Sequence, residues 1–279
     1  MLSTTQKQHY SEHGFLVLPN FIDAPSCTQL RERAAQIVDA LDPNDASAKF
    51  ASKENERRED DYFLASANQV RCFFEEEAFD STGALCRPKE QALNKIGHAL
   101  HTLDPVFSDF SKNENLAQIA LDLGIIEPQI WQSMYIFKPP LIGGAVRWHQ
   151  DATYLATTPV SVTTFWFALE DATQDNACLW VAPGGHRGPL REIFEREGEV
   201  AAIRQIDATP WPEYSQAIPL EAKAGSLIVF HGLLPHSSKT NRSTRSRHAY
   251  TLHVTDGRAT YSDKNWIQAT VDSPVSGFV

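Results

Sequence analysis

The spacing of apolar positions changes near residue 128. Before that point it follows a helical period. Leu30, Ala34, Ile37, Val38 and Leu41 fall at i, i+4, i+7, i+8 and i+11, one stripe of an amphipathic helix. Asp23 before Ala24-Pro25 supplies an N-cap with proline in the first turn, and Asp42-Pro43-Asn44 ends the helix. Ahead of it, polar residues 4–12 predict a short helix broken by Gly14, and Phe15-Leu16-Val17-Leu18 predicts a strand closed by Pro19. Leu116, Ile119, Ala120 and Leu123 form another stripe, stopped by Gly124. Residues 62–128 read as mostly helical, with turns near Gly83 and Pro88.

After residue 128 the apolar segments become short and β-rich, with turn residues between them. They are Ile130–Phe137, Thr163–Leu169, Cys178–Val181, Ser226–His231 and Ala249–Val254. Several short strands separated by turn signals predict an all-β sandwich or barrel. No Gly-x-Gly-x-x-Gly follows a strand and no β-α alternation recurs, which argues against a dinucleotide fold. The expected architecture is mainly β, a jelly-roll core over about 129–270 with flanking helices from about 1–128, in one domain spanning 1–279. Between the two regimes, eight of the nine residues Lys53 to Asp61 are charged. That makes 42–61 a solvated loop or surface helix, or else a lid over a neighbouring pocket.

Composition narrows the function classes. The 279 residues are 42% hydrophobic and 22% charged, an ordinary globular balance. A net charge of −10 is the opposite of a general nucleic-acid binder's footprint. Apolar runs such as Phe165–Leu169 are far short of the ~20 residues a bilayer span needs. Met1 to Gln8 has no apolar core of a secretory leader. Cys27, Cys72, Cys86 and Cys178 form no Cys-x-x-Cys pair. The expectation is a reduced cytoplasmic protein, a monomer or weak homo-oligomer, acting on a small molecule without nucleic acid or membrane.

The chemistry centres on Trp148-His149-Gln150-Asp151. In an extended chain, residues i and i+2 project to one side. His149 and Asp151 can therefore offer a nitrogen and a carboxylate oxygen to one cation. A firm site needs a third ligand. His236 is the best candidate, with His231, five residues earlier, as its rival. Two histidines and a carboxylate on one face leave three octahedral positions open, the arrangement of non-heme iron(II) oxygenases. His-x-Asp alone is a weak pattern, since ten histidines and 35 acidic residues produce it readily by chance. Arg247 adds to it. It opens the strand His248–Val254, and an arginine buried there needs an anion; its planar fork suits a carboxylate. A basic surface loop of Arg242, Arg245 and Arg247 is the alternative. His98, His101, His231, His248 and His253 read as structural, and His186, in the turn Pro183-Gly184-Gly185-His186, as a residue that could border the substrate opening.

These motifs resemble the phytanoyl-CoA dioxygenase family of iron(II)- and 2-oxoglutarate-dependent oxygenases. The likeness runs through His13–Leu18, Asn94–His101, Gln132–Lys138, Glu170-Asp171-Ala172, Cys178-Leu179-Trp180 and Arg245-Ser246-Arg247, nearly the whole chain. It implies a double-stranded β-helix, the cupin-like jelly roll. It implies iron(II) on His149, Asp151 and His236, and the far carboxylate of 2-oxoglutarate on Arg247. It also places Lys95, Met134, Trp166 and Ser238 around that co-substrate, with O2 as the oxidant. The implied reaction hydroxylates a small organic or acyl substrate and releases succinate and CO2. The carboxylate of Asp151 speaks for hydroxylation, because related halogenases carry a small residue there. Two other functions fit the same residues: a ligand-binding jelly roll without catalysis, and a zinc hydrolase using the same three ligands.

Overall fold

Every residue of Thr163–Ala168 is buried, because the strand's two faces serve two cores. Phe165 and Phe167 pack into an outer core, while Trp166 and Ala168 pack into an inner one. The same parity divides Leu227–His231: Leu227 and Val229 face outward, Ile228 and Phe230 inward. This computed structural model describes residues 1–41, 49–50, 61–198 and 200–279. The expected loop or lid at 42–61 therefore falls almost wholly outside the described residues.

The strands, in chain order, begin with β1 (Phe15–Leu18), β2 (Lys49–Phe50), β3 (Val70–Glu75), β4 (Leu93–His98) and β5 (Pro128–Ile136). Then come β6 (Val146–His149), β7 (Thr157–Thr158), β8 (Thr163–Ala168), β9 (Leu179–Val181), β10 (Glu192–Glu197) and β11 (Val200–Gln205). The last are β12 (Ile218–Leu220), β13 (Leu227–His231), β14 (His236–Ser238), β15 (Ala249–Asp256) and β16 (Thr260–Tyr261). The large sheet runs β1-β13-β8-β15-β5-β4-β3-β2, antiparallel except for the last pair. The small sheet runs β12-β9-β14-β6. Trp166, Ile228 and Phe230 of the large sheet meet Leu179, Val181 and Leu220 of the small one in the inner core. Two antiparallel sheets closed on a shared core make the expected jelly roll.

Helices cover the outer face of the large sheet. They are α1 (Thr4–His13), α2 (Ala24–Asp39), α3 (Pro105–Ser111) and α4 (Glu114–Asp122). Each begins on a side-chain cap: Ser3, Asp23, Asp104 and Asn113 accept from backbone N–H groups of the first turn. In α2 the buried stripe is Cys27, Leu30, Ala34 and Val38. It packs with Phe107, Leu116 and Ile119 against Phe165, Phe167 and Leu252 of the sheet. Helix α1 ends at Gly14, whose φ of +82° and contact with His186 leave no room for a side chain.

One expectation needs correction. Residues 62–128 are not mostly helical. β3 and β4 lie there and extend the large sheet beyond β5. Cys72, Phe73, Phe74 and Glu75 are all buried, as are Lys95, Ile96, Gly97 and His98. A six-residue run covered on both faces shows no alternation, so its strand character is invisible in the pattern.

Candidate metal centre and co-substrate cavity

His149 is the last residue of β6, and His236 is the first of β14. The two are register partners across the antiparallel pair. After β6 the chain turns through a single helical turn, Asp151–Thr153, which brings Asp151 back to the two rings. One ligand atom from each of the three lies within 4.8 Å of the others. Asp151 Oδ1 is 3.6 Å from His149 Nε2 and 3.5 Å from His236 Nε2. Gln150 holds this turn. Its amide donates to the carbonyls of Pro189 and Leu233 and accepts from the Arg191 N–H.

The ring nitrogens are set for coordination. Nδ1 of His149 donates to the Arg147 carbonyl at 2.9 Å, and Nδ1 of His236 to the Leu234 carbonyl at 3.0 Å. A neutral imidazole carries one proton, so both Nε2 atoms are left as bare lone pairs facing Asp151. Burial, with His236 alongside, brings the His149 imidazole down to about 3. Burial works to raise the Asp151 carboxyl, but the surrounding His236, His253 and His149 rings hold it below the ordinary carboxylate range. The set offers two imidazole nitrogens and one carboxylate oxygen to a single point, the donors of a two-histidine, one-carboxylate metal site.

The large sheet supports Asp151 from beneath. Gln132, His253 and Thr164 form one rung across β5, β15 and β8; Met134, Thr251 and Trp166 form the next. The Thr164 hydroxyl donates to Asp151 Oδ2, and His253 Nε2 stands 3.6 Å from the same oxygen. Oδ1 is thereby left for the metal. His253 was expected to be structural; it faces the site.

A cavity of about 420 Å³ opens beside these three residues, lined also by Lys95, Met134, Trp166, Ser238 and Arg247. The structure thus gathers all eight residues named from the sequence. Arg247 is 2% exposed. Its Nε donates to the Ala177 carbonyl at 3.2 Å, and its guanidinium lies over the Trp166 ring. Burial lowers it to about 10, so it remains a cation at neutral pH. Nη1 is buried with no hydrogen-bond partner, as is Nε1 of Trp166. A buried guanidinium with an unused donor needs an anion, and a diacid's far carboxylate meets that need.

Lys138 joins Arg247 here and was not foreseen. It is 2% exposed and donates to Gly144 O and, at 2.9 Å, to Ser238 Oγ. Burial and the Arg247 charge lower its ammonium to about 7, against the pull of Glu75. The other histidines sort cleanly. His231 Nδ1 accepts from the Leu233 N–H at 3.0 Å, and neither it nor His186 lines the cavity. His101 bonds Ser133 and His248 bonds Tyr135, both structural as expected. A larger depression of about 850 Å³ lies along the start of α2, and none of the site residues lines it.

A metal held by two imidazoles and a carboxylate, with a cation buried in the same cavity to receive a dicarboxylate, is the layout of oxygenases that use iron(II) and 2-oxoglutarate. The chain is a dioxygenase of that class, and iron(II), 2-oxoglutarate and O2 are its cofactor and co-substrates. Residues 10–249 match the phytanoyl-CoA dioxygenase (PhyH) family, and the chain belongs to it. A rice protein (Oryza sativa subsp. japonica) called phytanoyl-CoA dioxygenase 1 is 42% identical over 97% of this chain and 95% of its own. The phytanoyl-CoA dioxygenase domain-containing protein 1 of Bos taurus is 40% identical, over 98% of this chain and 97% of its own. Among solved structures, the non-heme α-ketoglutarate-dependent carbocyclase SnoK matches with a TM-score of 0.64 at 16% identity, over 98% of this chain and 96% of its own. EctD from S. alaskensis, solved with 2-oxoglutarate and 5-hydroxyectoine, matches with 0.62 at 19%, over 91% and 76%. At such identities these two establish the fold.

Proposed function

We propose that His149, Asp151 and His236 hold the iron and that Arg247 fixes the far carboxylate of 2-oxoglutarate. The reaction is hydroxylation of a small organic substrate. Bound together, iron(II), 2-oxoglutarate and O2 supply the oxidation, releasing succinate and CO2 and leaving a hydroxyl on the substrate. The protein's part is placement. Carbonyls of Arg147 and Leu234 fix the two rings with Nε2 inward, and Thr164 with His253 fixes the carboxylate. Lys95, Met134, Trp166 and Ser238 would frame the co-substrate, with apolar walls that exclude water. The observation that carries this reading is the unpartnered Nη1 of Arg247 in the cavity that the three ligands line. A zinc hydrolase gives that cation no role, and the three converging metal ligands argue against a jelly roll without catalysis.

The whole chain acts as one domain in this reading, as a monomer or weak homo-oligomer. Its charge of −10 supports a small-molecule substrate over nucleic acid. Among the described residues no helix is long and apolar enough to cross a membrane. Free thiols at Cys27, Cys72, Cys86 and Cys178 support a reducing, cytoplasmic setting. The relatives' names suggest an acyl-CoA, and that substrate is one candidate. The test is succinate formation from 2-oxoglutarate by the full chain with Fe(II), O2 and ascorbate. Slow uncoupled turnover that needs all three is expected; no turnover in metal-replete protein overturns the reading.

A further inference from the structure

Part of the cavity wall takes no part in holding iron or 2-oxoglutarate. It is built from Phe63, His98, Tyr154 and Trp266. Phe63 stacks on Trp266 with ring centroids 4.7 Å apart, and His98 stands edge-on to both. His98 is 1% exposed, and its proton can be placed. The Ser66 hydroxyl lies 2.5 Å from the Phe63 carbonyl and must donate to it, since two oxygens that close repel without a shared proton. Ser66 Oγ therefore accepts from Nδ1 of His98, 2.9 Å away. Burial and the nearby Lys95 charge keep the ring neutral. With its one proton on Nδ1, His98 presents Nε2 as a bare acceptor, buried and without a partner.

Two neighbours share this condition. Nδ1 of His253 and Nε1 of Trp266 are also buried and unpartnered. Leaving such an atom unmet costs about 1–3 kcal/mol. A saturated acyl chain cannot supply the missing bond. A hydroxyl can, because it donates to Nε2 and also accepts from an indole N–H.

Resting on the oxygenase reading, we infer that the prime substrate is a compact, uncharged alcohol. Its hydroxyl donates to Nε2 of His98, and its body lies against the Phe63–Trp266 stack. The cavity's 420 Å³ must hold 2-oxoglutarate as well, which limits the alcohol to a small body.

Benzyl alcohol and benzyl methyl ether test this, because only the first can donate. Their binding to the iron-free full chain is measured by ligand-observed NMR, with octanoyl-CoA as a third probe. The alcohol should bind at least about tenfold tighter than the ether, and the preference should vanish in His98→Phe. In ¹⁵N-histidine-labelled wild-type protein, the bare Nε2 signal of His98 should shift with the alcohol and not with the ether. That readout decides the matter even if the variant fails to fold. Equal binding, a preference that survives His98→Phe, no binding of the alcohol, or binding of octanoyl-CoA alone each overturns the inference. The measurement needs no iron. An alcohol preference without 2-oxoglutarate turnover would therefore strike the oxygenase reading and leave the alcohol site standing without its role as a substrate site.

Discussion

His149 and His236 face each other across neighbouring strands, with ring centroids 4.1 Å apart. The contact is made by sheet register, although 87 positions separate the two in the chain. β-Sheet pairing is therefore what converges the ligands, and the intervening turn of Asp151 completes the set. His236→Ala should abolish iron(II) binding measured by calorimetry on the apo-protein. His231→Ala removes only a turn-closing acceptor for Leu233, so it should retain iron with a modest loss of stability. The reverse order would make His231, and not His236, the distal ligand.

Thr164 reaches the metal ligands through the hydrogen bond that its hydroxyl donates to Asp151 Oδ2. Thr164→Val keeps the volume and removes the hydroxyl. A carboxylate that has lost such a partner is less well aimed, at a typical cost of about 10–100-fold in metal affinity. Iron affinity should fall within that range while the melting temperature changes little, and Thr164→Ser should restore it. Undiminished affinity in the valine variant would show that Asp151 needs no such support.

How far the sequence reveals this site depends on strand parity. The ladder of β15 puts Thr251 and His253 on the cavity face that Arg247 also lines, so placing Arg247 inward already implied His253. The same step of two leads from Trp166 to Thr164 and from Met134 to Gln132. Those residues lie within reach of strand parity, but the apolar content of each strand does not reveal them. Lys138 and His98 are different. Lys138 lies after β5 with φ of +43°, and nothing local signals that its amine turns inward. His98 ends β4, a strand hidden by burial on both faces. Five core strands were legible because β-branched and aromatic residues cluster in them between turns. The hairpin β10–β11, Glu192–Glu197 with Val200–Gln205, is rich in charge and gave no such signal.

Arg247 should separate co-substrate affinity from metal affinity. Removing one partner of a buried, hydrogen-bonded charge pair costs about 2–5 kcal/mol. Arg247→Ala should therefore raise the Kd for 2-oxoglutarate by at least about 30-fold, leaving iron(II) affinity within a few-fold of wild type. Arg247→Lys should recover little, because an ammonium cannot reproduce the bidentate fork. Equal losses of metal and co-substrate would contradict the separate roles, and calorimetry with each ligand in turn measures both.

Lys138 gives co-substrate binding a pH dependence of definite sign. Burial and Arg247 lower its ammonium to about 7, whereas Arg247 stays charged up to about 10. Below pH 7 the cavity thus adds the Lys138 charge to that of Arg247; above it, the Lys138 charge is lost. Losing a charge at such short range weakens anion binding, and the anion in turn favours the protonated amine, so binding takes up a proton. The Kd for 2-oxoglutarate should rise about tenfold as pH is raised through about 7, with no matching change in iron affinity. His149, brought to about 3, stays neutral across that window and cannot produce the slope. Glu75, whose carboxyl is raised by burial, titrates within the same pair, so Glu75→Gln serves as the control and should keep the slope's sign. Lys138→Met should flatten the profile at the weaker, high-pH value. A flat wild-type profile, or affinity that improves with rising pH, would remove Lys138 from the co-substrate's charge environment.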